Sequence, residues 1–255
     1  MKQSRFTVLF VLIAMMGMGI LQSCSDDPAS SNEQPPAIPD LSTVIPDFNY
    51  FNQQKAKAAA GENYNSAAVQ AQTLGLLMQG FSAFPNSILQ FAQQQQARLN
   101  NGVWEWSYSI SEGNESFSIR TTAERTSSGV EWNSYLTYSG GQSGPAIENY
   151  RYMGGTVAED GLSGVWNIYA FESDDVISFD WTKNSDTDST IEFDLSTETE
   201  TLTLTYTLDG PNNTITVVEG SNTTVIYWNT DTNTGYIDDG TERVCWDATL
   251  ENTAC

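Results

Sequence analysis

The side chains that carry most enzyme chemistry are unevenly represented in this chain. Its 255 residues include 32 acidic and 10 basic ones and no histidine, for a net charge of −22. Without imidazole there is no Ser-His-Asp triad, no Cys-His pair and no His-based zinc site. Gly140-Gly141 and Gly154-Gly155 fall where turns are expected, and neither is followed by the Lys-Ser/Thr of a phosphate loop. Carboxylate chemistry is what remains. Glu105, Glu131 and Asp180 stand beside tryptophans on what reads as the wet face of their strands. Two such groups at a suitable separation hydrolyse glycosidic bonds, but no spacing here selects a pair. Cation binding is the other option. Asp231-Thr232-Asn233-Thr234-Gly235, followed by Asp238, sets oxygens at alternate positions as calcium loops do, and Asn184, Asp186 and Asp188 repeat that spacing. Neither run has the distant bidentate glutamate of an EF-hand. Hairpin turns held by Asx hydrogen bonds are therefore expected, with no metal and no other cofactor.

These groups need a scaffold, and the hydrophobic pattern describes one. Phe48, Tyr50 and Phe51 open a helical region that Gly61 interrupts. Tyr64, Ala68, Ala71, Leu74, Met78 and Phe81 then fall three or four apart, which lines one helix face. Pro85 reads as the first-turn proline of a new helix, whose stripe continues through Ile88, Phe91 and Leu99 to a stop at Asn100-Asn101-Gly102. After Gly102 the period changes to two. Trp104, Trp106, Tyr108 and Ile110 alternate with polar residues, as do Ile191, Phe193 and Leu195. Leu202, Leu204, Tyr206 and Leu208 alternate with Thr201, Thr203, Thr205 and Thr207. Turn clusters such as Glu112-Gly113-Asn114 and Asp209-Gly210-Pro211-Asn212 separate the runs. Eleven or twelve antiparallel strands with no intervening helix imply an up-and-down meander. A faint echo between residues 102–108 and 164–169 is compatible with two similar meander units.

All seven tryptophans lie in the strand region. Flat aromatics beside acids and amides can stack on sugar rings, yet most of these occupy the apolar side of their strand, where a core is expected. From Gly102 onward only Arg120, Arg125, Arg151, Lys183 and Arg243 are basic. Nucleic acid is excluded as a partner because phosphate binding needs a basic face. An anionic bilayer surface would also repel such a domain.

The chain opens with Lys2 and Arg5, then an apolar run from Phe6 to Leu21 that is shorter than the ~20 residues a spanning helix needs. It closes on Leu21-Gln22-Ser23-Cys24, which resembles the lipobox of bacterial lipoproteins. The resemblance implies cleavage before Cys24 and acylation of its thiol, with palmitate-class chains anchoring the protein to a membrane. Ser25-Asp26-Asp27 lacks an aspartate directly after the cysteine and is similar to acidic tethers that send lipoproteins to the outer face of the outer membrane. With Cys24 lipidated, Cys245 and Cys255 remain as a pair in an oxidising compartment, and a disulfide between them is expected.

The expected organisation is a signal peptide over 1–23, a flexible tether over 24–46, a helical segment over 47–101 and an antiparallel β-meander over 102–255 that forms one domain with the helices. The fold class is α+β: the helical segment packs on a large curled sheet, half-barrel or barrel-like, with a β-sandwich as the alternative. Three functions fit. The first is a non-enzymatic lipid-anchored envelope protein of a Gram-negative bacterium that binds a protein or glycan at the outer membrane, with exposure on the cell surface as one placement. The second is a carrier of an apolar ligand between helices and sheet, and the third a carboxylate-based hydrolase.

Overall fold

A computed structural model describes residues 34–38, 48, 50–51, 60–141, 144–171, 173, 175–196 and 201–255. Cys24, the signal segment and most of the tether lie outside these. Alternating apolar and polar residues form a sheet of 14 strands, every neighbour antiparallel and every strand next to its sequence neighbours. In order the strands are β1 (Arg98–Asn100), β2 (Val103–Glu112), β3 (Glu115–Thr126), β4 (Gly129–Tyr138), β5 (Ile147–Val157), β6 (Ser163–Tyr169) and β7 (Val176–Ser185). They continue as β8 (Asp188–Ser196), β9 (Thr201–Asp209), β10 (Asn212–Glu219), β11 (Asn222–Asn229), β12 (Gly235–Asp238), β13 (Arg243–Trp246) and β14 (Asn252–Thr253). The meander is thus present, with short β1 and β14 beyond the strands expected from the pattern. β1 and β14 do not pair, so the sheet is not closed.

A 32-residue helix, α1 (Glu62–Gln93), precedes the sheet. The stop expected at Asn100 comes earlier, and Leu99 belongs to β1. Nor does a new helix begin at Pro85. The backbone stays helical through it, although proline supplies no N–H for the carbonyl four residues back. Gly61 carries no side chain to cap the helix start. The C-terminal strands do it instead: the Asn63 N–H donates to Asn252 Oδ1 at 3.1 Å, the Asn63 amide to the Cys245 carbonyl at 2.8 Å, and the Gly61 N–H to the Leu250 carbonyl at 2.8 Å. At the same end Tyr64 meets Trp246 edge-on, ring centres 5.8 Å apart, while near the other end Phe91 stacks on Tyr108 of β2 at 5.9 Å. Cys245 and Cys255 are disulfide-bonded, as expected, with Cα atoms 5.3 Å apart, and the bond fastens the tail beside β13.

The apolar face of the sheet carries the core, and all seven tryptophans are buried there. Glycines make room for them. In register across β4, β5 and β6, Gly155 lies between Trp132 and Trp166; across β11, β12 and β13, Gly235 lies between Trp228 and Trp246. Gly164 likewise faces Trp181. A Cβ on Gly155 would meet the Val165 carbonyl oxygen and approach Trp166 Cε3 at 3.0 Å; one on Gly164 would come 2.7 Å from Trp181 Cζ2. Gly154-Gly155 therefore belong to a strand and not to a turn: their missing side chains let indoles lie across β5.

The segment before α1 contributes to the same core. Phe51 is fully buried with its ring centre 4.9 Å from Trp228, and Phe48 meets Tyr206 at 5.9 Å. Of the stretch 24–46, the described residues Gln34–Ile38 include a buried Pro36 and an Ile38 packed on the core, and the Gln34 carbonyl accepts from Arg125 Nη1 at 3.2 Å.

Candidate ligand-binding surface

The opposite face of the sheet is polar, and the expected carboxylates are found there, on separate strands. On β2, Glu105 accepts from Arg120 Nη1 at 3.5 Å; on β4, Glu131 accepts from Asn133 Nδ2 at 3.1 Å. On β7, Asp180 stands opposite Glu192 and accepts from Ser178 at 3.1 Å. Glu131 and Asp180 share a cross-strand row but lie three strands apart, roughly 14 Å along the sheet, too far for a hydrolytic pair. Burial is the main force raising the Asp180 carboxyl above its ordinary range, and the Asp194 charge adds to it against the Ser178 hydrogen bond. Asp194 and Glu192 accept the hydroxyls of Thr203 and Thr205, at 2.5 and 3.4 Å.

The calcium-loop candidates are occupied by their own turns. Asn229 Oδ1 gathers the N–H groups of Asp231 and Thr232 at 3.0 and 2.9 Å and shapes the turn that contains Asn233. Asp238 Oδ2 is held by Arg243 at 2.7 and 3.0 Å, and its other oxygen accepts from the Gly240 N–H. Asp186 pairs with Lys183 at 2.8 Å. Among the described residues no three His, Cys, Asp or Glu side chains converge on a metal position.

A different group of residues converges where β4 and β5 lose register. Pairing slips between Ser134 and Tyr135 and again between Leu136 and Tyr138, so that Ser134 faces Met153 while Tyr135 faces Arg151. Strict alternation would put Arg151 and Gly154, three positions apart, on opposite faces. The bulge absorbs the extra residue Tyr152, which is buried like Met153, and returns Arg151 to the outer face beside Gly154. There the guanidinium fills the space a Gly154 side chain would take: a Cβ would meet Nη2 and lie 2.7 Å from Cζ. In register, Gly154 is flanked by Asn133 of β4 and Asn167 of β6. The Arg151 guanidinium also lies over the Tyr169 ring, 5.0 Å from its centre. Tyr169 is positioned by the Tyr150 hydroxyl, which donates to its carbonyl at 2.8 Å, and burial pushes the Tyr150 phenol up to about 12.

The neighbouring row repeats the theme. Arg120 lies 4.2 Å over the Tyr135 ring and donates to Glu105 and to Asn149 Oδ1, the latter at 3.1 Å. Asn149 has a φ of 46° and its N–H bonds Thr137 Oγ1 at 3.0 Å. No family model, curated protein or solved structure matches the chain. The surface is therefore read from its own geometry: two arginines, each fixed over a tyrosine and bordered by amides, in a protein dominated by negative charge. Such a group offers planar cationic donors, ring faces and amides that both donate and accept hydrogen bonds. In the sequence Arg120 and Arg151 stand out only as scarce cations. The bulge that aligns them leaves no local signature.

Proposed function

We propose that this chain is a lipid-anchored lipoprotein of the Gram-negative cell envelope with a non-enzymatic binding role, exercised on the polar face of its sheet. The observation that carries the reading is the packed interior. Trp166, Phe193, Leu204, Ile215 and Ile226 have no solvent-accessible surface, whereas a void large enough for water would leave its lining exposed. Contacts of α1 with β13 and β14 near its start and with β2 near its end support a sheet curled into an open barrel, the helix crossing the seam. The lipobox-like segment supplies the anchor, and the acidic tether favours display at the outer membrane, with no nucleic-acid partner. Among the described residues no helix is long and apolar enough to cross a membrane.

A carrier of an apolar ligand is the second reading. It is favoured by the Trp166 indole N–H and the Tyr138 hydroxyl, buried without hydrogen-bond partners among the described residues. Fatty-acid labelling in a Gram-negative host tests the anchored reading. Incorporation that disappears in Cys24→Ser, with accumulation of unprocessed precursor, is expected. Equal labelling of both proteins would refute it.

A further inference from the structure

We infer that the notch around Arg151 binds a sugar unit bearing a single carboxylate, within an otherwise neutral glycan. The inference rests on the binding role above and names its ligand class. The guanidinium comes first. Of the six cations from Arg98 to Arg243, Arg120, Arg125, Lys183 and Arg243 each pair with a carboxylate, whereas Arg98, exposed on the short edge strand β1, forms no ion pair among the described residues. Arg151 is exposed and, among the described residues, has no such partner. Its planar fork of donors matches a carboxylate in a bidentate arrangement. Its position is biased before a ligand arrives, since it rests over Gly154 on one side and over the Tyr169 ring on another.

The border of the notch selects a sugar over a protein. Asn133 and Asn167 flank Gly154 in register, and Tyr135 and Asn149 continue the surface towards Arg120. Amides read hydroxyl groups in both senses, as donors and acceptors, and tyrosine offers a flat ring with a polar tip. A protein interface would need an apolar centre, and the row through Gly154 carries Asn133, Asn167 and Ser178 in place of aliphatic side chains, with Val165 an aliphatic neighbour one row on. Net charge then limits how acidic the ligand can be. A chain at −22 repels a polyanion, so one carboxylate meeting one arginine is favoured over a continuous run of them.

The test is calorimetric titration of the full chain in neutral detergent with three probes: a glucuronate-capped trisaccharide, the same trisaccharide capped with glucose, and polyglucuronate. The capped acid is expected to bind at least tenfold more tightly than the neutral sugar and more tightly per carboxylate than the polymer. Arg151→Gln should erase the preference for the acid. Gly154→Ala keeps the charge but lifts the guanidinium from its seat, and should weaken the acid probe several-fold. Thr205→Ala, four strands away on the same face, should leave all three probes unchanged. Equal binding of acidic and neutral probes, no binding of the capped acid at millimolar concentration, or an unaltered preference in Arg151→Gln would each overturn the proposal. Acylation of Cys24 is read separately, so the ligand assignment can fail while the anchored reading stands.

Discussion

Gly154 and Gly155 are adjacent in β5 and face opposite sides of the sheet, so the same substitution should have opposite consequences at the two. A methyl group on Gly155 meets the Val165 carbonyl oxygen, comes 2.9 Å from the Val165 carbonyl carbon and presses Trp166 at 3.0 Å. The first two are backbone atoms of the paired strand, and Trp166 is fully buried with nowhere to move. Overpacking of this kind costs about 1–3 kcal/mol, and restricting the unfolded chain returns only about 0.4–1 kcal/mol. A net loss of about 1–2 kcal/mol is expected for Gly155→Ala. On Gly154 the methyl meets the far end of Arg151, a flexible exposed side chain that can swing away. The steric and entropic terms then nearly cancel, leaving a change within about 0.5 kcal/mol. Urea denaturation of both variants at constant m-value measures the difference. Losses that are equal, or larger for Gly154→Ala, would refute the assignment of the two faces.

Leu204 has no accessible surface and lies in register between Phe193 and Val217, so Leu204→Ala should cost about 2–5 kcal/mol in the same assay. Thr203→Ala removes the hydroxyl donated to Asp194 and should cost about 0.5–1.5 kcal/mol. Opening the Cys245–Cys255 disulfide, by reductant or by Cys255→Ser, should lower stability by about 2–3 kcal/mol for a loop this short, with faster amide exchange at Asn63, which the tail caps. Acid should destabilise the turns. Asp239 is lowered to about 2, chiefly by the Thr241 hydroxyl and then by the Glu242 and Thr241 N–H groups, while Asp238 and Asp247 are also lowered. A depressed carboxyl stabilises above its unfolded pKa and loses that contribution as pH falls through the folded one, so melting temperature should drop from roughly pH 4 towards pH 2. Asp239→Asn should flatten this fall, which a pH series of melts would reveal.

The parts of the fold that were legible in the sequence are those governed by a single period. Leu202 to Leu208 alternate cleanly with threonines and Ile191 to Leu195 with acids, and these became β9 and β8 with the apolar set inward. Tyr64, Ala68, Ala71 and Met78 share the buried face of α1, as their spacing indicated. What local rules missed was settled by partners distant in sequence. Pro85 reads as a helix start by propensity, yet the helix continues through it. Gly154-Gly155 reads as a turn because the tryptophans that require the second glycine belong to the neighbouring strands. The surface around Arg151 was hidden for a related reason. Alternation assigns faces by counting residues, and one bulge at Tyr152 inverts the count for everything on the far side of it. The acidic turns depend on distant partners too: Asp238 is held by Arg243, a cation whose position only the β12–β13 pairing reveals.

The claim on which the account turns is that the interior is filled and that binding takes place on the outer face. Titrating the native full chain with an apolar fluorescent dye, and following both dye emission and tryptophan quenching, tests it directly. Trp166, Trp132 and Trp228 line the interior and would report an occupant. With the interior filled, no saturable uptake and no change in tryptophan emission are expected below the onset of unfolding. Saturable one-to-one uptake with quenching of these tryptophans would contradict a filled interior and identify the protein as a carrier.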